Sequence, residues 1–195
     1  MKLKLDRSEE IKFFYQEVQK EITETRFAHS IRVSELAENL SKLHGYPKPK
    51  NAYLAGILHD ITKQKKNEFH IELFKKNSFD YTDLPEEAYH PFSAVFYLKE
   101  KYNFHDEEVL SAVRNHTLGG SHTNLLDRIL YVSDFLGSEF ASRQKELPNW
   151  IAETEKDLNY GILLKSITVI KDLMDRKQKI HPYNLESFNL ALDKN

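Results

Sequence analysis

The chain is 195 residues long, enough for one domain with a substantial core or for a domain carrying a helical extension. Charged residues make up 30% of it, yet the net charge is only −2; this excludes a basic stripe for nucleic acid and a polybasic membrane anchor, so any anionic ligand must be held by local charges. Cysteine is absent, which excludes disulfides and thiolate metal sites and leaves His, Asp and Glu as available ligands.

Residues Met1 to Glu10 mix Lys, Asp and Arg with two leucines, neither a signal-peptide core nor a membrane span, so a cytoplasmic protein is expected. Six Gly and six Pro punctuate the chain while Leu, Glu and Lys are abundant, which favours helices joined by short connections.

In chain order, Ser8 can cap a first helix reaching about Thr23, with Ile11, Phe14, Tyr15, Val18 and Ile22 at helical spacing. This helix reads as an amphipathic appendage over residues 1–24, its apolar side free to pack internally or to form a homodimer. A second helix is expected from Arg26 to Leu43, with Val33, Leu36, Ala37 and Leu40 as its stripe and His44-Gly45-Tyr46-Pro47 as its stop. A third, Pro49 to His59, has small residues suited to close packing and delivers His59-Asp60 at its end.

A short helix near Glu68 to Lys76 follows, then a surface connection from Asp80 to Glu87. His90-Pro91 opens the next helix, with Pro91 in its first turn. Asp106 caps a helix running to about His116, Gly119-Gly120 breaks it, and another spans Asn124 to Leu136. Helical patterns from Asn149 to Arg176, with a break, and from Leu185 to Leu192 are expected to form a lid or flank.

Five features stand out: His29, the pair His59-Asp60, His90, His116 and Asp134. Each alone is commonplace, since a histidine on an apolar helix face is more often a hydrogen-bonded core residue than a ligand. Their contexts are less so. Asp60 follows a helix C-terminus, where the backbone dipole disfavours a carboxylate by roughly 0.3–1 kcal/mol. Asp134 extends the apolar series Leu125, Leu126, Ile129, Leu130 and Val132, and a buried unpaired charge is expensive. His29 continues its helix's buried stripe, with Arg26 three residues earlier on the same face. Imidazoles and carboxylates without thiolates suit iron, manganese, zinc or nickel better than calcium.

These residues resemble the HD-domain metal-dependent phosphohydrolases, named for their His-Asp pair. Within them the chain is most similar to the symmetrical dinucleoside-tetraphosphate hydrolases of the YqeK family. The likeness lies in Arg26-Phe27-Ala28-His29-Ser30, Ala55-Gly56-Ile57-Leu58-His59-Asp60-Ile61-Thr62-Lys63, Ala112-Val113-Arg114-Asn115-His116-Thr117-Leu118-Gly119 and Asp127-Arg128-Ile129-Leu130-Tyr131-Val132-Ser133-Asp134. The tail Ile180-His181-Pro182-Tyr183-Asn184-Leu185-Glu186-Ser187-Phe188-Asn189 extends it over roughly residues 20 to 190.

The resemblance implies an all-α HD-domain helical bundle over residues 25–195, with the C-terminal helices flanking it. It implies two divalent or mixed-valence metal ions, iron being the family expectation: one held by His29, His59, Asp60 and Asp134, the other by His90 and His116, with Asp60 bridging. Asp60, Lys63 and Arg26 are then expected at the catalytic centre, with Arg26, Lys63 and Thr117 meeting substrate. The implied reaction is symmetrical cleavage of diadenosine tetraphosphate to two ADP by hydroxide generated between the metals. No nucleic acid or membrane partner is implied.

The sequence departs from the family near the expected substrate pocket. Gly120 stands where an Arg is frequent, Ser121-His122-Thr123 replaces a stretch of small residues and Met, and Gly137-Ser138-Glu139-Phe140 replaces Glu-Pro-x-Arg. His122 and Arg143 are candidate replacements for the lost contacts. The altered loops also keep open another nucleotide or phosphoester as substrate, or a weakly active nucleotide-sensing module.

Overall fold

The computed structural model describes residues 6–120 and 123–193. Among these the regular structure is helical, without a strand: α1 (Arg7–Glu21), α2 (Glu24–Leu43), α3 (Pro49–Leu58), α4 (Asn67–Lys76), a 3₁₀ turn (Glu86–Ala88), α5 (Tyr89–Tyr102), α6 (Glu107–Asn115), α7 (Leu125–Leu136), α8 (Glu139–Ser142), α9 (Leu147–Lys156), α10 (Leu158–Asp175) and α11 (Pro182–Leu192). None of the described helices is long and apolar enough to cross a membrane.

Local chemistry explains most boundaries. Asp6, not Ser8, caps α1: its carboxylate accepts from the backbone N–H groups of Ser8 and Glu9, and Glu9 answers back in a capping box. Thr23 lies outside α1 and caps α2 instead, its hydroxyl oxygen accepting from Arg26 N–H, so α2 begins at Glu24. Asp106 caps α6 as expected, and Asn124 with Asp127 forms a capping box on α7. Asn103 ends α5 in the left-handed region with φ 53°, a conformation asparagine tolerates better than most residues. The long C-terminal helical pattern divides at Asp157, which ends α9 and caps α10.

Helices α2 and α3 form the most intimate pair, with α7 packed on α2 and α1 on α3. Gly56 permits this approach: a Cβ there would lie 2.5 Å from Cα of Ser34 on α2. The main core runs from Phe14 and Val18 on α1 through Val33, Leu54, Leu58, Leu98, Leu110 and Leu130 to Leu158 and Ile162 on α10. The apolar side of α1 thus packs internally, Phe14 meeting the rings of Tyr102 and Phe104 edge-on. A smaller aromatic cluster around Phe74, Tyr89 and Phe92 supports the start of α5. Helix α10 packs against α7, α9 and α11, so α10 and the start of α11 form a wall of a large cleft.

Candidate active site

The candidate ligands come from helix ends that the core brings to one point. His29 lies in the second turn of α2, His59 caps the C-terminus of α3, and Asp60 opens the turn that follows. His90 sits in the first turn of α5, His116 caps α6, and Asp134 lies in the last turn of α7. The side chains of His29, His59, Asp60, His90 and His116 are buried, and Asp134 is partly exposed.

Each of the imidazoles is oriented through Nδ1 by a backbone carbonyl: His29 by Gly137 at 3.1 Å, His59 by Gly56 at 2.7 Å, His90 by Glu87 at 2.9 Å and His116 by Val113 at 2.6 Å. A carbonyl only accepts, so these contacts place the proton on Nδ1 and leave Nε2 as a lone pair. The Nε2 atoms then face one another, His29 to His59 at 3.2 Å and His90 to His116 at 3.1 Å. Two lone pairs at that separation repel, whereas a cation between them converts the arrangement into a ligand set, with the orienting carbonyls typical of metal-binding histidines.

Asp60 stands between the two pairs. Its Oδ1 is 3.3 Å from Nε2 of His90 and 3.7 Å from that of His116, while Oδ2 is 3.4 Å from His59 and 3.9 Å from His29. Oδ1 of Asp134 faces the first pair, 3.2 Å from His29 and 3.6 Å from His59. The groups His29–His59–Asp134 and His59–Asp60–His116 each bring their donor atoms close enough to share one ion.

The electrostatics suit a cation. Burial alone would raise the carboxyl of Asp60, but the surrounding imidazoles prevail and hold it well below the usual carboxylate range. Burial likewise opposes ionisation of Asp134, and the Lys165 ammonium with His29 pulls it down. Desolvation pushes His90 down to about 3 and lowers His116, keeping both rings neutral and able to coordinate. His59 is also penalised by burial, yet the carboxylates of Asp60 and Asp134 raise it.

The site opens into a cavity of about 730 Å³ lined by Arg26, Asp60, Lys63, His90, His116, Thr117 and Asp134, with further lining from α10 and the segment before α11. Arg26 reaches Oδ2 of Asp60 at 3.1 Å. Lys63 lies 3.3 Å from Nδ1 of His90, and Oγ1 of Thr117 lies 3.3 Å from its Nε2. Arg143 does not line the cavity: it is exposed and pairs with Glu139 at 3.5 Å, because the 137–142 segment turns into α8. His122 lies outside the described residues. Gly120 adopts φ 134°, which side chains rarely tolerate, and its N–H donates to Ser187 Oγ at 2.8 Å, so the backbone itself explains glycine there.

Several cavity residues were not singled out from sequence. Lys165 on α10 is buried and donates to Asp134 Oδ2 at 3.0 Å. Its spacing from Leu158 and Ile162 puts it on that helix's buried stripe, a signal available in the sequence. Arg176, Lys179 and His181 also line the cavity, His181 doubling as the N-cap of α11. His70 is buried on α4, 2.7 Å from Ser93 Oγ, and serves the packing of α4 on α5.

An all-helical frame that aims imidazole lone pairs and carboxylates at one buried point defines a class of helical protein with an internal site fit for divalent cations. The chain belongs to the HD-domain family, which matches residues 26–138. It is 33% identical over 179 residues to "Bis(5'-nucleosyl)-tetraphosphatase, symmetrical" of Halalkalibacterium halodurans, covering 90% of this chain and 93% of that one. The protein of the same name from Bacillus subtilis is 26% identical, covering 88% and 92%. A crystal structure from Clostridium acetobutylicum, described as a "predicted HD superfamily hydrolase involved in NAD metabolism", shares the fold with a TM-score of 0.86 at 23% identity, covering 94% of this chain and 97% of that one.

Proposed function

We propose that this protein is a cytoplasmic, metal-dependent hydrolase that cleaves diadenosine tetraphosphate symmetrically to two molecules of ADP. Water adds to one inner phosphorus, the central P–O–P linkage breaks, and a proton is released. The observation that carries the reading is the pair of facing imidazole couples with Asp60 between them, at the floor of a cavity that also presents Arg26 and Lys63. Full-length similarity to proteins named as symmetrical tetraphosphatases supplies the substrate.

In this reading His29, His59, Asp60 and Asp134 hold one cation and His90 and His116 the other, Asp60 being shared; iron is the expected metal. Divalent ions bound there supply Lewis acidity toward a phosphoryl oxygen and acidify water near neutral pH. The chain's own residues position and exclude. The carbonyl-fixed imidazoles keep their geometry without reorganisation, and burial of Asp60 strengthens every charge interaction around it. Arg26 and Lys63 compensate the phosphate charge that collects as the linkage breaks, while Thr117 offers a hydroxyl beside His90. Phe135 and Leu173 give the same cavity an apolar wall for a nucleobase.

The test is anaerobic purification with elemental analysis, then chromatography of products. About two metals per chain and ADP alone from the tetraphosphate are expected. ATP plus AMP as products, or no turnover of the tetraphosphate while monophosphates are cleaved, overturns the assignment.

A further inference from the structure

We propose that Lys165 is a positioning residue for Asp134: its ammonium holds one carboxylate oxygen away from the site, so that Asp134 offers a single oxygen to a cation. The inference rests on the metal-site reading above and concerns a residue outside that ligand set.

Lys165 is 4% exposed, and its ammonium donates to Asp134 Oδ2 at 3.0 Å, to the carbonyl of His116 at 2.8 Å and to that of Tyr131 at 2.8 Å. An ammonium has three N–H donors, so these acceptors occupy all of them and fix its direction. It also lies 4.1 Å from the centre of the Tyr131 ring. Each acceptor belongs to the site or to its mounting. His116 ends α6, where helix carbonyls lack intrahelical partners, and Tyr131 precedes Asp134 by one turn of α7.

The consequence lies in the two oxygens of Asp134. Oδ2 is claimed by Lys165, while Oδ1 faces His29 at 3.2 Å and His59 at 3.6 Å. A free carboxylate beside a cation can swing to bind through both oxygens; here rotation about the carboxylate bond would break an ion pair in a buried setting, which is costly. Lys165 therefore limits Asp134 to one donor atom and, through the His116 carbonyl, ties α6 to α7 across the site.

The test uses protein stripped with a chelator and reloaded with Co²⁺, whose visible spectrum reports coordination number. In K165M the band is expected to shift and weaken as Asp134 gains a second oxygen contact. Cobalt affinity is expected to fall about 10–100-fold, the usual cost of losing an outer partner of a ligand. K165Q, whose amide can still donate to Oδ2, is expected to return most of the original spectrum. If K165M does not fold, D134N and D134N/K165M carry the question with no unpaired charge left in the double variant. With Lys165 present, the amide oxygen of D134N is drawn to the ammonium and cobalt binding at that half is lost; in the double variant the oxygen is free to turn and binding partly returns. A K165M spectrum and affinity matching the unmodified protein, or a double variant binding no better than D134N, overturns the role of Lys165 alone. An unmodified protein that takes up no cobalt overturns the metal-site reading together with it.

Discussion

Oδ1 of Asp60 lies 3.3 Å from Nε2 of His90, a contact made across two helix ends that are 30 residues apart in the chain. The other oxygen faces His59 at 3.4 Å, so one carboxylate links both imidazole couples. Asp60→Ala is therefore expected to reduce metal content below the unmodified level and to cut turnover by more than about 100-fold, since even outer partners of a ligand are worth 10–100-fold. Elemental analysis beside kinetics checks it, and unchanged stoichiometry with unchanged turnover removes the basis of the site.

Lys63 meets the cavity and the His90 ring while lying outside the proposed ligand set. Lys63→Ala should leave metal content intact and lower kcat by about 10²–10³-fold, the range for deleting one electrostatic contact to a transition state. Loss of metal together with activity would instead assign Lys63 to holding the site together.

Acid should weaken the metal-free protein. His90 is held down to about 3 by burial, against an ordinary value of 6.5, so the unfolded chain binds its proton first. The stability this neutral ring contributes is complete above about 6.5 and lost as pH falls toward about 3. His116 acts in the same sense and the raised His59 in the opposite one. Denaturant midpoints measured from pH 7 to pH 4 should fall, and His90→Gln should flatten the slope; an unaltered slope would show that His90 titrates normally.

Gly56→Ala tests the helix approach that sets His59. Its Cβ would meet the Ser34 backbone at 2.5 Å, and no flexible side chain is available to give way. A loss of about 1–3 kcal/mol is expected from this overpacking, with weakened metal binding as the end of α3 shifts. Thermal melting of metal-free and metal-loaded protein separates the two effects.

Phe14→Ala addresses the first helix. The ring is 2% exposed among Tyr102 and Phe104, so its removal should cost about 3–5 kcal/mol. A cost below about 1 kcal/mol would mean that α1 is separable from the core.

Much of this was legible in the residues. Apolar spacing, caps and Pro or Gly punctuation located α2, α3, α5, α6 and α7, whose ends carry the candidate ligands, and the motifs around His29, His59-Asp60, His116 and Asp134 pointed to the HD family, whose model matches residues 26–138. The cap of α1 was misplaced because Ser8 and Asp6 are both good caps, and only the Glu9 reciprocal bond selects Asp6. Arg143 offered itself by charge, but the turn into α8 directs it to solvent.

The sequence by itself determined the helical class, the absence of thiolate chemistry and the identity of the imidazoles and carboxylates, because composition and 3.6-residue periodicity are properties of neighbours along the chain. Only the tertiary structure decided which nitrogen of each imidazole faces inward, that Asp60 divides its oxygens between two couples, and that Lys165 from α10 grips Asp134. Those facts depend on backbone carbonyls and helix ends meeting from distant parts of the chain, and such meetings are set by packing, which one-dimensional spacing does not encode.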